Sequence, residues 1–146
     1  EELRKKIIEN NCIQSLLHLS RGVFGADFGA SSAVIKNSKG EKTGTYFRLV
    51  ERTFQEFDQK HLRTLFEKTL ANRDFKYKFS DYTKEALDIT YSEDGNRIYY
   101  PHVLQSNFTK IPGSPIGYWV SEKIQETFTG NRPLSAVANP CVGLQT

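Results

Sequence analysis

The chain has no methionine and a single tryptophan among its 146 residues. Methionine is missing even at position 1, as expected of a processed or excised chain. Cysteine is scarce: Cys12 and Cys141 stand near opposite ends, too few for a disulfide framework or a thiolate metal cluster. A reducing, cytoplasmic setting is the matching expectation. The three histidines, His18, His61 and His102, are far apart in sequence and lack ligand-spaced partners, so they are expected to be surface or hydrogen-bonded residues rather than metal ligands. No apolar run approaches the roughly 20 residues of a membrane-spanning helix. The opening EELRKKIIEN is charged where a secretory signal would be apolar. Phosphate cradles are missing too, because Gly22, Gly25 and Gly29 do not make G-x-G-x-x-G and no strand-to-helix turn follows them. There is no nucleophile elbow and no P-loop lysine. SEDGN pairs carboxylates with a glycine but lacks the alternating ligands and closing Glu of a calcium loop. Cys141 follows Asn139–Pro140 without a nearby His or second Cys, which argues against a nucleophile. Taken alone, the chain is not a complete enzyme.

What is present describes a soluble globular protein, with 38% hydrophobic and 25% charged residues. The formal net charge of +3 permits a nucleic-acid partner without demanding one. Glu1 to Asn10 reads as a short helix with Leu3, Ile7 and Ile8 on one face. CIQSLLHLS reads as a strand that carries Cys12 as a small core residue. SSAVIKN reads as a second strand, its Ala33–Val34–Ile35 run suited to cover on both faces. A polar loop with Gly40 and Gly44 leads to a third strand, TYFRLVE. QEFDQKHLRTLFEKTLANR is the strongest helix, with Asp58 as N-cap and Leu62, Leu65, Phe66 and Leu70 on one face. DFKYKFSDY alternates aromatics with lysines and reads as an amphipathic strand or extended arm. Its rings could stack on bases while Lys76 and Lys78 meet phosphates; the plainer reading is a half-exposed strand with core aromatics. SEDGNRIYY is a turn followed by a short aromatic strand. Ser114 and Pro115 predict a helix start that runs to about Phe128, placing Tyr118 and Trp119 on that helix as anchors against the sheet.

The stretch SRGVFGADFGASSAVIKN poses the functional question. Phe24 stands between Gly22 and Gly25, and a core phenylalanine needs no such neighbours. GVFGADFGASSAVIKN, FTKIPGSPIGYWVS and PLSAVANPCVGLQT together resemble the large adenine-specific DNA methyltransferases of BREX phage-defence and Eco57I-like restriction-modification systems. The IPGSPIGYW run is the most specific part, and residues 38–95 carry little of the likeness. The resemblance implies an α/β fold, in which residues 1–54 form the edge of a Rossmann-like methyltransferase sheet with its antiparallel hairpin. Residues 55–130 would be a mixed α+β linker and helical region, and 131–146 the start of target recognition. It implies methyl transfer from S-adenosylmethionine to the exocyclic amine of adenine in DNA. The cofactor-binding glycine motif and the Asn-Pro-Pro-Tyr catalytic motif lie upstream in such enzymes and are missing here, since Asn139–Pro140–Cys141 does not match. The chain alone is therefore expected to bind no cofactor and to be inactive, with DNA and the upstream catalytic segment of the same parent as partners. In this reading Phe24 stacks on the flipped target adenine, with Phe28 as the competitor. Arg21, Lys36, Lys76, Lys78 and Lys110 are the possible phosphate contacts. The alternative is a non-enzymatic nucleic-acid-binding or protein-interaction domain.

Overall fold

Ile7 and Ile8 lie along the inner side of the opening helix, which spans Glu2–Asn10 (α1) and buries Ile8 in the computed structural model. The structure describes residues 2–25, 27–38, 40, 42–52, 55–84, 88–133 and 136–138. Cys141, the Asn139–Pro140–Cys141 run and the closing residues 143–146 lie outside the described residues.

A helix leaves its last carbonyls without partners. At the end of α1, Lys42 Nζ donates to the carbonyls of Ile8 and Glu9, and a cation there also suits the negative end of the helix dipole. Gln105, 2% exposed, donates from Nε2 to Ile8 O (2.7 Å) and Asn11 O (2.6 Å) and accepts from Ile13 N at 2.8 Å. One buried amide thus ties the exit of α1 to the start of the next strand.

That strand, Cys12–Leu19 (β1), is the hub of a four-stranded mixed sheet. Ala30–Lys36 (β2) returns antiparallel on one side of it. Thr43–Arg48 (β3) lies parallel on the other. The chain reaches β3 by passing from the end of β2 across the start of β1. Here the β1 and β3 backbones come unusually close, because a Cβ on Gly44 would sit 2.2 Å from Ile13 O. Only glycine fits there, and both strands carry ladder irregularities at this point. After Gln59–Ala71 (α2) and a small antiparallel pair, Lys76–Tyr77 (β4) with Asn96–Arg97 (β5), the strand Tyr99–Leu104 (β6) joins β3 and completes the order β2-β1-β3-β6. The helix Glu122–Gly130 (α3) follows.

Successive side chains on a strand point to opposite faces, and both faces are used. Leu16, Tyr46 and Tyr100 enter a core with Ile8, Ile13, Phe108 and Tyr118. Their neighbours Leu17, Phe47 and Tyr99 enter a second core with Leu62, Leu65, Phe75, Tyr77 and Phe79. The architecture is α/β, as expected. Asp58 caps α2 as predicted, its Oδ1 accepting from Lys60 N at 2.7 Å. Cys12 is the small buried residue foreseen for it.

Several expectations need correction. β2 is not covered on both faces: Val34 is 56% and Ile35 46% exposed, because only Ala30 at the start of the strand packs against a core. On α2, Leu70 faces outward and Thr69 takes its place, its hydroxyl donating to Leu65 O at 2.8 Å. The alternation of Phe75, Tyr77 and Phe79 is real as burial, but strand pairing is limited to Lys76–Tyr77, and a 3-10 turn over Phe79–Asp81 follows. The last helix begins at Glu122, with Ser121 as cap. Gly113 (φ +79°) and Ser114 (φ +49°) are both left-handed, whereas an N-cap needs extended backbone. Tyr118 and Trp119 consequently sit in a turn ahead of the helix.

Candidate nucleic-acid interface

The β1–β2 connection turns where its glycines permit. Gly25 N donates to Gly22 O at 3.0 Å, and both glycines have positive φ (+73° and +82°), so Val23 and Phe24 form the corner of a tight turn. Val23 folds inward onto the second core. Phe24 points out, 69% exposed, and Phe28 is 66% exposed. Both rings are available to an external partner, and neither caps the sheet.

The charge beside them is less welcoming to phosphate. Arg21 pairs with Asp27 at 3.2 Å and Glu56 at 3.4 Å. These three residues line a cleft of about 180 Å³ with Gly22 and Gly25, so two carboxylates surround one guanidinium. The predicted lysines do not converge on the corner. Lys36 pairs opposite Cys12 at the far end of β2, about 20 Å from Ala30 at the strand rise. Lys76 donates to Glu93 O at 3.2 Å. Lys78 is exposed beside the 3-10 turn, and Lys110 ends the 3-10 helix Gln105–Lys110. Phe24, Phe28 and Arg21 share the one β1–β2 connection, while the four lysines lie at the end of β2, on β4, beside the 3-10 turn and at the end of the 3-10 helix.

A second aromatic site lies at the Tyr118–Trp119 turn. Tyr118 is buried, stacked on Tyr46 with centroids 4.8 Å apart; burial, the largest cause, pushes its hydroxyl pKa well up. Its oxygen lies 3.3 Å from His18 Nδ1. Trp119 is 41% exposed, with the His18 ring at 5.9 Å and a 30° tilt, and the Arg48 guanidinium 5.0 Å from its centroid. Burial, followed by the Arg48 charge, lowers the His18 pKa below its ordinary 6.5. The anchoring role holds for Tyr118; Trp119 is also a surface. Sequence reasoning missed this site because His18 is separated from Tyr118 by about 100 residues. The available signal was the lone tryptophan beside a Pro-Gly-Ser-Pro turn.

Another cleft, of about 260 Å³, lies on the other side of Tyr118, between β6 and α3. Arg97, His102, Asn107, Glu122 and Gln125 supply its polar groups. His102 is left-handed (φ +52°), and Gln125 Oε1 is buried without a donor. His61 also departs from expectation. It is 4% exposed, neither ring nitrogen has a partner, and Phe57, Tyr77 and Tyr82 surround it.

His18 and Ser31 stand opposite each other in the β1–β2 ladder, yet no hydrogen bond joins them to make an activated nucleophile. Among the described residues no three His, Cys, Asp or Glu side chains group as a metal site, and no helix is long and apolar enough to cross a membrane. No protein-family model matches the chain, and no curated protein matches it either.

Proposed function

We propose that the chain is part of an adenine-specific DNA methyltransferase of the phage-defence and restriction-modification type, forming a border of its catalytic sheet and the approach to target recognition. The observation that carries this reading is the β1–β2 hairpin. β2 pairs on one side only and leaves Val34 and Ile35 uncovered on opposite faces. An open apolar edge is a hazard in a finished sheet and natural in one that continues into further strands. Its entry corner holds Phe24 outward, where a flipped base can meet it.

The described residues do not fit S-adenosylmethionine. β1 leads into the Gly22–Gly25 turn and then another strand, with no helix N-terminus to receive the cofactor. Cofactor binding and methyl transfer therefore belong to the rest of the parent, and no chemical step is assigned to these residues. Their role is to hold the target base and guide the DNA.

The test uses the full-length parent with DNA and S-adenosylmethionine. Digestion and mass spectrometry should show N6-methyladenine. Phe24→Ala should lower turnover about tenfold or more, the loss of one stacked base, and weaken 2-aminopurine emission at the target position. DNA without methylated adenine would overturn the enzyme reading. Unchanged emission and turnover in the variant would remove Phe24 from the base site.

A further inference from the structure

Trp119 closes a cleft of about 160 Å³ whose other walls are Leu16, His18, Ser31, Ile116 and Tyr118. We propose that this cleft takes one unpaired nucleobase of a DNA strand, with Trp119 as the stacking ring and His18 and Ser31 meeting the polar edge of the base. The inference rests on the nucleic-acid half of the reading above and not on methyl transfer.

Size sets the first limit. Pockets for drug-sized ligands run from about 300 to 1,000 Å³, so this one suits a single planar ring system. Its chemistry sets the second. The walls are aromatic or aliphatic apart from the His18 imidazole, the Ser31 hydroxyl and the Tyr118 hydroxyl that faces His18, the mixture a base requires: flat apolar faces and a hydrogen-bonding rim. A hydroxyl can donate or accept, and so can an uncharged imidazole; burial, followed by the Arg48 charge, disfavours the charged form of His18.

Electrostatics selects the nucleic acid over an aromatic side chain of a protein partner. A base arrives attached to phosphates. Among the described residues no carboxylate lines this cleft, and the Arg48 guanidinium stands 5.0 Å from the indole centroid. The cleft beside Phe24 contains Asp27 and Glu56, and the cleft between β6 and α3 contains Glu122. A cation beside an aromatic platform is the pairing that single-stranded nucleic acids use. The walls are also set in advance: Tyr118 is locked against Tyr46 and holds the His18 ring, so little freedom is lost on binding.

Trp119 is the sole tryptophan, so its emission reports on the cleft directly. The 146-residue chain is titrated with a short oligo(dA) strand and with an abasic strand of the same length and charge. Saturable quenching by oligo(dA), with the abasic strand at least about tenfold weaker, is the expected result. Ser31→Phe fills the mouth of the cleft from an exposed position on an edge strand, where an aromatic is tolerated. It should weaken the quenching about tenfold or more while the circular dichroism spectrum is unchanged. Equal effects of both strands, absent quenching, or full quenching in folded Ser31→Phe would each overturn the proposal. The outcome is independent of the methylation assay. Base-dependent quenching with an inactive parent would leave the cleft standing and remove the enzyme; methylation without quenching would do the reverse.

Discussion

Tyr46 shows how single side chains trade packing against polarity. It is fully buried, stacked on Tyr118 and edge-on to Phe108, but its hydroxyl has no partner. Burial raises the hydroxyl pKa strongly, with Cys12 adding to the effect. An unsatisfied buried hydroxyl costs about 1–3 kcal/mol, while the ring carries the contacts. Tyr46→Phe should therefore be neutral or stabilising, and Tyr46→Ala should cost about 3–5 kcal/mol. Urea unfolding of the two variants checks this. A Phe variant destabilised as much as the Ala variant would mean that the hydroxyl has a partner in solution.

Among elements, the junction of α1 and β1 depends most on one residue from elsewhere. Gln105 serves Ile8 O, Asn11 O and Ile13 N at once. Gln105→Leu preserves volume, takes the side-chain partner from Ile13 N and Asn11 O, and leaves Ile8 O to Lys42 alone, at about 1–3 kcal/mol for each group orphaned, before relaxation. A net loss of about 3 kcal/mol or more is expected in urea unfolding. Hydrogen exchange should quicken first at Ile13. The cap on α2 is more modest: Asp58→Ala should cost about 1 kcal/mol. Asp58 was legible because an N-cap depends on a few consecutive residues. Gln105 was not, because its partners lie more than 90 positions away.

For the molecule as a whole, the two perturbed histidines predict acid sensitivity. Burial lowers the pKa of His18 and His61 below the ordinary 6.5, and for His61 the nearby Asp58 carboxylate offsets part of that. The unfolded chain then binds protons more readily than the folded one. Stability is fully present above about 6.5 and falls as pH drops from there through the folded values, by up to about 1.4 kcal/mol per pH unit for each group. Urea midpoints measured from about pH 7.5 to pH 5 should decline. His61→Leu removes two unpartnered nitrogens from an aromatic surround and should flatten the decline. An unchanged slope in that variant would show that His61 is not part of it.

Local pattern was enough for the course of the chain: the opening helix, the first three strands, the capped α2 and the glycine corner at Phe24. Each depends on propensity, period or φ, which neighbouring residues control. The burial alternation in FKYKF was legible for the same reason, and so was the α/β class. What lies over each element was not legible. Ala33–Val34–Ile35 has the composition of a covered strand, yet exposure depends on where two distant cores end. His61 looks like any polar residue on a helix until Phe57, Tyr77 and Tyr82 close around it. Phe24 reads as an outward ring in both sequence and structure, but its charged surroundings come from Glu56 across the turn. The Trp119 cleft exists because residues 16, 31 and 119 meet on one sheet face. Long-range packing brings those positions together, and no local signal encodes that meeting.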